Sequence, residues 1–276
     1  MNSIHFFIHS IEKQNIFIEN LPHIFADSSV NDWFFIRYWY GGPHIRVRFK
    51  DNKGSADRLL IDFFELMMKD SVSELTPQMY YADHKFDGEE QEIEELPWFP
   101  NGTYRYIRYV PEINRYGEGE FLRVSEIIFN QTSIIVSKVY SNSHNMNYIS
   151  ACGIFLMNFF ISKVIGSKYE FLMVYYDFWK KFLTSKIVLN RNSFYKISEI
   201  ISNMHLDKEF SKEIYIIDEQ LSILKKICGF KERSFYDYVI SSQIHMANNR
   251  FGITPSVEAR LAGLLLEEID ELEKRK

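Results

Sequence analysis

Cysteine is scarce: Cys152 and Cys228 are the two in 276 residues. Both fall in helical-looking segments, without CxxC spacing or a companion histidine cluster, so a zinc site and a redox motif are excluded and reduced core thiols are expected. A basic stretch is missing from the N-terminus. The run MNSIHFFIHSIEKQ is broken by His5, His9 and Glu12, which excludes an ordinary secretory signal and points to a cytoplasmic protein. Long apolar runs are also lacking. The most apolar segment, Ile149 to Ile165, is interrupted by Asn158 and Lys163 and reads as a buried helix, so no membrane span is expected. There is no excess of positive charge. A net charge of −5 argues against a general nucleic-acid surface. Internal repeats, heptads and low-complexity tracts are absent, which excludes a solenoid or coiled coil.

Apolar residues make up 46% of the chain, aromatics 16% and charged residues 25%. That is enough to bury a full core without a separate module, and residues 1–276 read as a single domain. The most informative stretch is Trp33 to Lys50, WFFIRYWYGGPHIRVRFK. Side chains in a strand point to opposite faces with period two, so Ile45, Val47 and Phe49 share one face, and His44, Arg46 and Arg48 share the other. An aromatic and β-branched run precedes Gly41-Gly42-Pro43, and the pair reads as an antiparallel hairpin. Two guanidiniums on one strand face form a fork for a carboxylate or phosphate. A basic edge that only discourages aggregation is the competing reading.

Ser3 to Phe17 reads as a strand with one histidine-bearing, exposed face, to which no role is assigned. Asp57 to Lys69 carries helical spacing, and Met79 to His84 reads as a short strand. The acidic run Asp87 to Glu95 reads as a solvated loop or helix start, without the ligand spacing of a cation loop. Thr103 to Val110 reads as an aromatic strand leading into a loop, Tyr109 to Gly117, rich in Arg, Glu and Tyr, where binding residues are commonly found. A surface Glu112–Arg115 pair is the bland alternative. From Phe121 helices dominate: 121–139, 145–165, 167–182, 208–227, 235–250 and 256–274, the last with Ser256 as N-cap and no evident site. The chain is therefore α+β, with a mainly antiparallel, sheet-rich part (1–120) and a helical part (121–276). On the helix 235–250, His245 shares a polar strip with Ser241, Ser242, Asn248 and Asn249. That strip suits either a satisfied core histidine or a chemical one.

Three segments, GPHIRVRF (42–49), YVPEINRYG (109–117) and SSQIHMANNRFG (241–252), occur in order across nearly the whole chain. Together they resemble the C-terminal, glutamate-eliminating domain of lantibiotic dehydratases, in the stand-alone form found in thiopeptide biosynthesis. One departure is Gly117-Glu118-Gly119, where the family commonly has paired glycines. The resemblance implies that glutamylated Ser or Thr of a ribosomal precursor peptide loses glutamate to give dehydroalanine or dehydrobutyrine. It also implies that Arg46, Arg48, Arg115 and His245 are catalytic and that the three arginines bind substrate; His44, on the same strand face as Arg46 and Arg48, is expected to join them in binding. No metal or organic cofactor is implied. The implied partners are the precursor peptide, leader and core, and a separate tRNA-dependent glutamylation protein; a homodimer is left open. Two alternatives come with it: a pyridine synthase that closes a macrocycle by a formal [4+2] reaction, and a non-catalytic peptide-binding scaffold.

Overall fold

Strand alternation builds an antiparallel sheet from β1 (Asn2–Phe7), β2 (Trp33–Tyr38), β3 (His44–Phe49) and β4 (Thr103–Tyr106), in the order β2-β3-β1-β4. The structure, a computed structural model, describes residues 1–82, 96–183, 192, 195, 206–229 and 232–274, the last five as backbone. The chain forms two compact units, residues 1–111 with 133–144, and residues 112–132 with 145–276. With its N-terminal sheet and helical C-terminal region, the fold is α+β.

In the first unit the register pairs Ile4 with Val47, Phe6 with Ile45 and Phe35 with Val47. Directly opposed residues share a face, which gathers the apolar half of each strand on one side. Two helices, α1 (Ile11–Asp27) and α2 (Ser55–Met68), supply the aromatic layer against it. The Phe6 ring lies 4.8 Å from Phe17 and 4.9 Å from Phe64, and Phe25 stacks on Trp33 at 4.7 Å. Arg37 is the charge on this face, and burying it requires partners. It donates to Gln14 Oε1 and Asn15 Oδ1, both at 2.8 Å, and to Tyr140 Oη at 3.1 Å.

Four sequence expectations change. The strand expected through Phe17 ends at Phe7, because Ser10 caps α1: its Oγ accepts from the Lys13 N–H at 3.3 Å, and Phe17, Ile18, Leu21 and Phe25 then repeat at helical spacing. The strand expected from Met79 is the short helix α3 (Pro77–Tyr81), since Pro77 opens it and Thr76 Oγ1 accepts from the Met79 N–H. The strand expected to reach Val110 stops at Tyr106, where pairing with β1 ends. The acidic run 87–95 lies outside the described residues.

The second unit holds α4 (Ile113–Tyr116), the first part of α5 (Glu120–Asn142), α6 (Met146–Ser162) and α7 (Lys168–Trp179), the last followed by a 3-10 turn, Lys180–Phe182. It continues with α8 (Leu206–Glu209), α9 (Ser211–Cys228), α10 (Arg233–Phe251) and α11 (Pro255–Lys274). In the fourth correction, α11 starts one residue before Ser256. Thr254 Oγ1 takes the capping role by accepting from the Val257 N–H, and Ser256 is buried. α10 packs on α6, and α11 on α7. Cys152 and Cys228 are buried thiols, and burial pushes Cys152 up to about 12. Among the described residues no helix is long and apolar enough to cross a membrane.

Phe64 is wholly buried and touches Phe6, Phe17 and Tyr104. Phe64→Ala should therefore cost about 3–5 kcal/mol in a urea titration, the transfer loss plus an unfilled cavity. A loss under about 1 kcal/mol would show that the aromatic layer is not the core of this unit.

Candidate active site

The face of the sheet opposite the aromatic layer carries the charge. His44, Arg46 and Arg48 of β3 lie between Ser3 and His5 of β1 and Phe34 and Tyr38 of β2. The turn before β3 is held open for them by Gly41 and Gly42, at φ of +92° and +98°. That backbone favours glycine, and a Cβ on Gly41 would also stand 2.9 Å from the Phe99 ring. Tyr81 Oη accepts from both glycine N–H groups, at 3.2 and 3.0 Å.

His44 has little contact with solvent (1% exposed), and both of its ring nitrogens are engaged. Nδ1 lies 2.8 Å from the Gly42 carbonyl, which can only accept, so Nδ1 carries the proton. Nε2 is then an acceptor, and Arg46 Nε donates to it at 3.1 Å. The Arg46 guanidinium lies 3.4 Å above the Tyr38 ring, and Arg48 lies over Tyr109 at 4.6 Å and Phe34 at 5.6 Å. His5, expected at the surface, is 4% exposed and stacks on His44 at 5.1 Å. Desolvation by burial and the neighbouring Arg46 lower His5 to about 2; His44 falls to about 3, chiefly by burial. Both imidazoles are thus neutral, and the arginines carry the positive charge of the face. Ser3, opposite Arg48, has a buried hydroxyl with no hydrogen-bond partner among the described residues.

In the second unit Arg115 sits on the one-turn helix α4, with Nη1 3.4 Å from Glu112 Oε2 and about two-fifths of each side chain exposed. The turn after it depends on Gly117, at φ +79°, where a Cβ would meet Phe121 Cβ at 2.8 Å.

The motif around His245 separates into distinct parts. Arg250 is wholly buried, donates to the Met246 carbonyl at 2.9 Å and lies over Phe129. Gly252, at φ +73°, ends α10, with its N–H bonded to the Asn249 carbonyl and the Ile253 N–H bonded to the Asn248 carbonyl. The partner of His245 comes from outside the expected polar strip. Its Nδ1 lies 2.9 Å from Glu258 Oε2 of α11, and Trp179 stacks on the ring at 4.3 Å. Sequence reasoning assigned α11 no site. The available signal was an acid on its apolar stripe, for Glu258 falls in line with Leu261 and Leu265. Sequence reasoning also assigned no part to His5, Tyr38 or Tyr109 as partners of the arginines and histidine of β3.

A family model described as the C-terminal part of lantibiotic biosynthesis dehydratases matches residues 3–269. The chain belongs to this family. Among solved structures it is similar to the pyridine synthase TbtD from thiomuracin biosynthesis, at 11% identity and a TM-score of 0.64 over 100% of this chain and 99% of that one. It is also similar to TsrL, at 10% identity and a TM-score of 0.56 over 97% and 95% of the two chains. A third is the tRNA-dependent lantibiotic dehydratase MibB from Microbispora sp., at 14% identity and a TM-score of 0.54, where all of this chain spans 28% of the other. No curated protein matches the chain. At these identities the structural matches establish a common fold, which the lantibiotic dehydratase family shares with a pyridine synthase.

The two neutral histidines make stability pH-dependent in a definite direction. Their folded pKa values lie below the unfolded value of 6.5, so the unfolded chain alone takes up protons as pH falls below 6.5. Each histidine should then remove up to about 1.4 kcal/mol of stability per pH unit, until the folded values near 3 and 2 are reached. Comparing wild type with His5→Asn and His44→Asn between pH 6.5 and 4.5 isolates this slope from the carboxylates common to all three. Each variant should show a shallower fall; an unchanged slope in both would mean the imidazoles are protonated in the folded state.

Proposed function

We propose that this chain eliminates glutamate from glutamylated serine or threonine of a precursor peptide. The observation that carries the reading is the preparation of Arg46 and Arg48: each guanidinium lies over an aromatic ring, and Arg46 is also anchored through Nε by a neutral histidine. Stacking engages the faces of a guanidinium plane, whereas a carboxylate is bound by its N–H edge. The Ser3 hydroxyl beside Arg48, which has no partner among the described residues, adds a donor to the same face.

In this reading Arg46 and Arg48 bind the glutamyl carboxylate, and Arg115 stabilises charge developing on the peptide. His44 acts through Arg46, which it orients. His245 moves the proton. The ester makes the chemistry accessible, because glutamate leaves as a stable carboxylate where hydroxide would not. As the α C–H pair becomes the Cα=Cβ bond, the Cβ–O pair departs with glutamate, and the products are dehydroalanine or dehydrobutyrine and free glutamate. The glutamyl ester is supplied by a separate tRNA-dependent protein. Membership of a dehydratase family supports an enzyme of peptide modification.

Incubated with a peptide bearing O-glutamyl serine, the protein should release glutamate with the matching mass loss, without added metal or nucleotide. Arg48→Lys should keep the fold and lose about 100-fold in rate, since an ammonium cannot reproduce a planar two-point contact. His245→Asn, whose amide can still donate to the buried Glu258 carboxylate, should leave glutamylated peptide accumulating while the protein stays folded; His245→Ala should do the same at lower thermal stability, because it strands that carboxylate. Ring closure of an already dehydrated peptide without glutamate release would transfer the case to pyridine synthesis. Peptide binding without any turnover would transfer it to a scaffold.

A further inference from the structure

Glu258 is completely buried, yet both its carboxylate oxygens are used: Oε2 meets His245 Nδ1 at 2.9 Å, and Oε1 accepts from the Tyr175 hydroxyl. A carboxylate that accepts at both oxygens leaves Nδ1 as the donor of the pair. Tyr175 stays a donor, because burial and the adjacent carboxylate hold its hydroxyl well above the ordinary tyrosine value. The indole of Trp179 lies nearly parallel to the imidazole, at 23°, which restricts rotation of the ring. His245 remains 21% exposed and Glu258 not at all, so a ligand can reach the imidazole but not the carboxylate. His245 Nε2 makes no hydrogen bond to any described residue.

We propose that Glu258 is a positioning residue that fixes His245 in the Nδ1–H tautomer and thereby makes Nε2 the atom through which the substrate proton moves. Tyr175 holds the second carboxylate oxygen, and Trp179 holds the plane of the ring. When Nε2 takes the α-proton, the C–H pair forms the new double bond and glutamate leaves with the Cβ–O pair. The imidazolium so formed then faces a carboxylate already in place, whose orientation costs nothing at that moment. The consequence for turnover rests on the elimination reading; the tautomer does not.

Two measurements separate these. Nitrogen-15 NMR of the full-length protein labelled at histidine, with His245→Asn to assign the signals, should show a protonated Nδ1 and a pyridine-like Nε2 at neutral pH. In Glu258→Gln the amide can donate to Nδ1, and the Nε2–H tautomer should become populated. With the O-glutamyl serine peptide, Glu258→Gln should lower kcat about 100-fold while KM changes less than about threefold, and Glu258→Asp should recover part of kcat. An Nε2–H tautomer in the wild type, or a wild-type kcat in Glu258→Gln, would overturn the positioning role. Wild-type turnover by His245→Asn would instead remove histidine from the elimination reading, leaving the tautomer result as it stands.

Discussion

The Nδ1–H of His44 donates to the Gly42 carbonyl at 2.8 Å, and this bond decides what the other ring nitrogen can do: Nε2 is left an acceptor, to which Arg46 donates. The cationic face depends on that choice. A protonated imidazole would offer no acceptor and would repel the guanidinium it now holds. Burial prevents this by penalising the charged form, and the arginine adds to the penalty. The carbonyl is in place because two consecutive glycines take φ values that favour glycine, with Tyr81 accepting from their N–H groups.

The arginines of the sheet illustrate two uses of one side chain. Arg37, on the core face, is bound by Gln14, Asn15 and Tyr140, which offset its desolvation. Its partners are side chains of the same unit, and its task is structural. Arg46 and Arg48, on the other face, lie over aromatic rings, an arrangement that fixes the guanidinium plane.

In the helical unit the same economy appears around a single carboxylate. Glu258 would be costly to bury alone, and its cost is offset by a hydroxyl and an imidazole, one at each oxygen. Arg250, in the same motif as His245, has the opposite fate: it is sealed in the core with its charge over Phe129. Sequence proximity therefore groups residues with unrelated tasks, a functional histidine in the proposed reading, a core arginine and a helix-ending glycine.

Local pattern made β3 legible: strict alternation over His44 to Phe49 fixes which residues share a face, because the period of a strand is two whatever packs on it. Helices with long amphipathic stripes, such as α5, α9 and α11, were legible for the corresponding reason. α1 was not, since Ile4, Phe6 and Ile8 alternate up to its first turn and a single serine cap makes the switch. The family could be read from three ordered motifs, and so could the identity of the candidate arginines and histidine. Tertiary structure alone decided their partners. His5 is buried with its ring stacked on His44 of the neighbouring strand, and Glu258 meets His245 because α11 returns beside the helices that carry Tyr175 and His245. Hydrogen bonds between residues distant in the chain leave no period in the sequence, so the atoms that set a tautomer or hold a guanidinium become visible only when the chain is folded.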